Sequence, residues 1–150
     1  MMASPMIATD NIILTYEQRM IRALKQTDYA VTKQLFHDVF DMSEDPHFVA
    51  AWASRNLSAS LGFWINEVLV GAAIVGDNKL HYIFTHDAYR GKSIGTRLLR
   101  AVISLTPTIH LTPVDDPEVQ QWYVKHGFRL STDIDGYRVY VRHEHNLRHQ

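Results

Sequence analysis

The chain has 150 residues, 46% of them hydrophobic, with 15 basic and 16 acidic side chains and no cysteine. That length suits one domain with a core of its own, and the near-neutral balance offers no general attraction to nucleic acid. The lack of cysteine excludes disulfides, thiolate metal sites and cysteine nucleophiles, and it fits a cytoplasmic protein. No apolar run approaches the ~20 residues of a membrane span, so no membrane segment is expected. The start, Met1-Met2-Ala3-Ser4-Pro5, lacks the basic region and apolar core of a signal peptide.

In chain order, residues 1–10 read as a loose leader and residues 11–16 as an added strand or part of the first one. Residues 20–24 fit a first strand better. Asp28 then reads as a helix start, with Val31, Leu35, Phe36, Val39 and Phe40 at helical spacing. Pro46 opens a second helix that is expected to carry Phe48, Val49 and Trp52 inward. Three β-rich runs follow, 60–65, 68–75 and 79–85, separated by Asn66-Glu67 and Asp77-Asn78. Two-residue polar turns between such runs predict antiparallel hairpins.

A basic, glycine-bearing segment comes next, Tyr89-Arg90-Gly91-Lys92-Ser93-Ile94-Gly95-Thr96. It leads into a helical pattern with Ile94, Leu98, Leu99, Val102 and Ile103 on one face. A strand, a glycine loop and a helix start make an anion site, because the first N–H groups of a helix lack internal partners and its dipole favours negative charge. Gly91 and Gly95 allow close backbone approach, and Arg90 and Lys92 add charge. The segment is not a P-loop, since no Gly-Lys-Ser/Thr triplet closes it. It also lacks the setting of a dinucleotide fingerprint. A pyrophosphate cradle is the expected role.

The remaining elements are a strand at 108–112, a helix opened by Pro117 and running to Lys125, and a last hairpin, 128–134 with 137–141, around Asp135-Gly136. Gly127 reads as a helix stop. The tail, 144–150, is polar. No repeat or linker interrupts the chain, so residues 1–150 are expected to form a single domain.

Two of these segments carry a family resemblance. Arg90-Gly91-Lys92-Ser93-Ile94-Gly95 resembles the coenzyme A pyrophosphate loop of the GNAT-type N-acetyltransferases, with Ser93 where the first glycine is usual. Trp122-Tyr123-Val124-Lys125-His126-Gly127-Phe128 resembles the family's aromatic-Tyr-x-x-x-Gly-Phe segment. The two stand in the family's order and separation. The resemblance implies an α/β (α+β) fold: a mixed, mostly antiparallel sheet of about seven strands flanked by four helices, with the fourth and fifth strands splayed. It implies acetyl-CoA as cofactor, with the pantetheine entering the gap between those strands.

It also implies roles. Backbone amides of strand four, at Ile83, Phe84 or Thr85, would serve the oxyanion, and residues Arg90 to Thr96 the pyrophosphate. Tyr123 matches the tyrosine that donates to the leaving thiolate, and His81 falls where polyamine acetyltransferases carry a base. Asp116 stands where the family usually has a coenzyme-contacting Asn. Arg97 and Arg100 are candidates for the 3′-phosphate or for a solvent face.

The acceptor end is expected at the link between the first two helices and at the last hairpin. Asp41, Glu44 and Asp45 lie in the first and Asp135 in the second, with Phe40 and Trp64 near. Such an acidic mouth is similar to that of spermidine/spermine acetyltransferases and would concentrate cationic substrates. A small di- or polyamine is the expected acceptor, ahead of a protein or peptide lysine, an aminoglycoside or an arylalkylamine. A non-catalytic acyl-CoA sensor is the alternative from another class, and Tyr123 argues against it. A metal site on His143, His145 and His149 has poor geometry, so none is expected. A nucleic-acid surface of Arg90, Lys92, Arg97 and Arg100 lacks an aromatic platform. The family resemblance allows a homodimer through the last strands.

Overall fold

A computed structural model describes residues 20–42, 45–134 and 137–143, with the side chains of Asp133 and Ile134 excepted. The leader, the 11–16 segment, Glu44, the Asp135-Gly136 turn, His145, His149 and the rest of the tail lie outside the described residues.

Seven strands form one sheet in the order β1-β2-β3-β4-β5-β7-β6. They are β1 Ile21–Ala23, β2 Leu61–Ile65, β3 Val68–Gly76, β4 Lys79–Thr85, β5 Thr108–Leu111, β6 Arg129–Ile134 and β7 Tyr137–His143. All pairs are antiparallel except β4 with β5. The helices are α1 Tyr29–Phe40, α2 Pro46–Ala53, α3 Ile94–Leu105 and α4 Pro117–Lys125. This is the mixed, mostly antiparallel architecture that the sequence predicts.

The β2–β3 and β3–β4 turns are built without glycine. Asn66 and Glu67 have φ of 50° and 65°, and Asp77 and Asn78 have 52° and 61°. Positive φ at both central residues matches the right-handed twist of the flanking strands, and Asn and Asp tolerate it best among residues with a Cβ.

Helices cover both faces of the sheet. On one face, Leu98, Leu99 and Val102 of α3 and Tyr123 of α4 pack with Phe63, Ile109, Leu111 and Phe128. On the other, Leu35 and Phe36 of α1 and Phe48 and Trp52 of α2 pack with Trp64, Ala72, Ile74 and Phe84.

Three inward expectations are corrected. Val49 is 47% exposed, because Phe48, Ala51 and Trp52 at i, i+3 and i+4 already fill the inner stripe of α2. Val31 is 45% exposed for the same reason, with Thr32, Leu35 and Phe36 forming the inner stripe of α1. Phe40, also expected on that stripe, is half out at the end of its helix. Among the described residues, no helix is long and apolar enough to cross a membrane.

Candidate active site

Strands β4 and β5 pair at a single position, Lys79 with His110. Beyond it they part, and a groove of about 910 Å³ opens between them. Its floor is β4 from Leu80 to Thr85. One end is the loop and helix start from Tyr89 to Thr96, and the other is Val39 and Phe40 of α1. Leu111 to Val114 after β5 and Val119, Trp122 and Tyr123 of α4 form the remaining wall.

Strand alternation sorts the β4 amides. His86 N–H donates to Val70 O on β3, and the register continues through Phe84 opposite Ala72. In an antiparallel ladder, alternate residues turn their N–H and C=O to the same side. Phe84 therefore directs its backbone to β3, and Ile83 and Thr85 direct theirs to the gap. The Phe84 side chain is buried against Phe36 and Phe48.

The loop end is shaped by two left-handed residues, Gly91 at φ +83° and Ser93 at φ +63°. Ser93 is the N-cap of α3, yet its side chain makes no capping hydrogen bond and the first turn holds no acidic residue. In α2 and α4 the corresponding donors are satisfied, by Asp45 and Asp116. The first N–H groups of α3 thus face the groove without such a partner, and a Cβ at Gly91 would meet nothing within 4 Å. That is the shape and polarity a pyrophosphate requires. Arg90 pairs with Asp87 at 3.0 Å, both well exposed. Gly95 lies under Trp122, whose ring would be 3.7 Å from a Cβ there.

Tyr123 projects from α4 with only 7% of its surface exposed. Burial pushes its phenol up to about 12, and its ring packs edge-on against Trp122 and Phe128. No hydrogen bond from its hydroxyl is made among the described residues, so that donor is free to serve the groove. His81 sits where β3 and β4 shift register. Its Nε2 and Cδ2 lie 3.4 and 3.6 Å from where a Gly76 Cβ would stand, so Gly76 makes room for the ring. Burial first, then Lys79, lowers its pKa, against opposing contributions from the Gly76 backbone and Asp77. The imidazole is neutral at neutral pH.

The groove therefore gathers His81, Ile83, Phe84, Thr85, Arg90, Gly91, Ser93, Ile94, Gly95, Thr96 and Tyr123. Four described residues expected at the site are not on its wall. Lys92 is exposed beside the loop. Asp116 accepts from Glu118 N–H at 2.9 Å, and Asp45 from His47 N–H at 2.9 Å, so both carboxylates cap helices. Asp41 is exposed next to Phe40, with φ of 52°. The Arg97 guanidinium lies 5.9 Å from the Phe63 ring, and Arg100 lines a separate cleft with Lys125, His126 and Arg142. Among the wall residues not expected at the site, Tyr82 and Trp122 are the large aromatics; Trp122 opens the aromatic-Tyr-x-x-x-Gly-Phe segment, whereas no local pattern marks Tyr82.

The model of the acetyltransferase (GNAT) domain family matches residues 52–130, more than half of the chain. The chain belongs to the GNAT acetyltransferases. It is an acetyl-CoA-dependent N-acetyltransferase. Solved structures with the same fold include three under 25% identical. The ribosomal-protein-S18-alanine N-acetyltransferase from Escherichia coli is 17% identical, with a TM-score of 0.66 over 81% of this chain and 91% of its own. A GNAT-family acetyltransferase from Staphylococcus aureus is 19% identical, at 0.62 over 83% and 98%. The PaiA N-acetyltransferase from Thermoplasma acidophilum, solved with coenzyme A, is 16% identical, at 0.56 over 82% and 97%. No curated protein matches the sequence.

The φ of Ser93 explains why a glycine is usual there. An L-residue in that region is strained by roughly 1–2 kcal/mol, part of which glycine returns through a more flexible unfolded chain. Ser93→Gly is expected to stabilise the GNAT fold by a few tenths to about 1 kcal/mol. A urea titration that found the variant less stable would contradict the assignment of strain.

Proposed function

We propose that this acetyltransferase acetylates a small aliphatic di- or polyamine, with Tyr123 as acid and His81 as base. The observation that carries the reading is that one groove joins a phosphate-ready helix start, two outward-facing amides of β4, a protonated phenol and an open aromatic mouth beside Asp41.

The backbone of Arg90 to Thr96, with the Arg90 and Lys92 charges, holds the coenzyme's pyrophosphate. Acetyl-CoA supplies the acetyl group as a thioester. The N–H of Ile83 or Thr85 serves as donor to its carbonyl oxygen. A free aliphatic amine is protonated at neutral pH, with a pKa of roughly 10. His81, neutral because burial disfavours its charge, accepts the proton through water, and the Tyr123 hydroxyl gives one to the leaving sulfur. Attack of the neutral amine forms the C–N bond, and collapse of the adduct breaks the C–S bond. The second nitrogen proton reprotonates Tyr123 through water, and His81 releases the first to solvent, so the amide, the free thiol and one proton leave. Exposed Asp41 attracts the cation, and Phe40 and Tyr82 offer rings to its methylene chain.

Thiol release from acetyl-CoA across putrescine, cadaverine, spermidine, spermine, a lysine peptide and an aminoglycoside tests the acceptor. Turnover is expected with the aliphatic amines. Turnover with the peptide or the aminoglycoside alone would discard this acceptor class.

Tyr123→Phe is expected to lower kcat by about 10²-fold, with KM for acetyl-CoA unchanged. An undiminished kcat would remove the acid role.

For His81 the sign follows from a depressed pKa: the base form is lost as pH falls, through a midpoint below the ordinary value of about 6.5. The pH profile of kcat/KM for the amine should show a rising limb there, and His81→Gln should lack it. A limb that survives in His81→Gln would assign it to another group.

A further inference from the structure

Tyr82, whose ring is read above as part of the amine wall, also joins three elements. Its hydroxyl donates to Asp45 Oδ2 at 3.0 Å. The other oxygen of the same carboxylate, Oδ1, accepts the His47 N–H and caps α2. The ring meets Phe36 at 5.3 Å, Phe48 at 5.6 Å and Phe40 at 6.5 Å between centroids, so it touches α1 and α2 from strand β4. Tyr82 and Phe40 also line the groove, with their rings 6.5 Å apart.

Both Asp45 oxygens are thus committed, one to the helix and one to the phenol. With one hydrogen bond on each oxygen, Asp45 keeps about half of its accepting capacity. It holds Tyr82, and through Tyr82 the start of α2 is tied to the strand that carries Ile83 and Thr85.

We infer that Tyr82 is a positioning residue for the acceptor: latched by Asp45, it sets the aromatic wall of the groove mouth and thereby the affinity for the amine. The inference rests on the reading of that mouth as the amine site. It adds a substrate feature. With rings at the wall and Asp41 outside it, the favoured amine has an alkyl stretch next to the reacting nitrogen, and any second charge lies farther out.

The phenol holds its proton, with a pKa pushed up to about 12 by burial and by Asp45, so the latch is closed across the working pH range.

Tyr82→Phe keeps the ring and deletes only the hydrogen bond. Two measurements decide the proposal. Amine kinetics should show KM for the diamine raised by on the order of tenfold, with KM for acetyl-CoA and kcat at saturation unchanged. A purely stabilising role would leave that split absent. Hydrogen exchange should show faster exchange of the amides from His47 to Val49, with the loop from Arg90 to Thr96 unaltered. Unchanged exchange at 47–49 would overturn the latch, and faster exchange with an unchanged amine KM would overturn its role in recognition. If the wild type turns over none of the amines, the acceptor reading fails on the thiol assay, and the exchange measurement still decides the latch.

Discussion

The parting of β4 from β5 is the constraint on which the rest of the molecule depends. A parallel pair that continued past Lys79 and His110 would consume the outward N–H and C=O groups of Ile83 and Thr85. Because it stops after one pair, those groups line a groove instead of a ladder. Backbone polar groups need partners, and in the gap water or a polar guest can supply them. The sheet tolerates the break because each half is secured elsewhere. β4 is paired along its length with β3, and β5 is paired with β7. The helices complete the arrangement, with α3 and α4 on one face and α1 and α2 on the other.

The treatment of helix starts follows the same division. Asp45-Pro46 and Asp116-Pro117 each place a carboxylate at the cap and a proline at the first helical position, so α2 and α4 begin satisfied. At α3 the chain enters through left-handed Ser93, a conformation that turns the hydroxyl away from the capping position. An extended backbone at the N-cap would have allowed the side chain to reach the N–H groups of the first turn. α1 also lacks a side-chain cap, but it continues from the 3-10 turn at 26–28, whereas at α3 an uncapped start coincides with a left-handed N-cap residue beside the groove.

Much of the fold was legible in the sequence because it depends on local signals. Two-residue polar turns specified the hairpins, Pro46 and Pro117 marked helix starts, and the loop from Arg90 to Thr96 stood out against its apolar surroundings. The inward face of each helix was legible only in part. Val31 and Val49 are as apolar as their buried neighbours, and only the observed packing distinguishes a residue on the stripe from one a quarter-turn away. The candidate site divides the same way. Its loop end has a motif. Its aromatic end is assembled from the end of α1 and the middle of β4, more than 40 residues apart in Phe40 and Tyr82, and no local pattern relates them.

The carboxylates show why charge read from sequence overstates a binding site. Asp41, Asp45 and Asp116 carry the same side chain and all sit near a helix end. Two of them are consumed by helix amides, and Asp45 is consumed twice over, since its second oxygen holds the Tyr82 phenol. A carboxylate accepting two hydrogen bonds keeps its charge but has less left to offer a ligand than one in open solvent. Long-range attraction of a cation depends on the charge alone and survives the engagement; close recognition depends on free lone pairs and is weakened. Under the proposed amine reading, an acidic segment would steer the cation toward the groove while rings at its wall would contact the alkyl chain, and selectivity among amines would then follow the length and hydrophobicity of that chain more closely than the number of its charges.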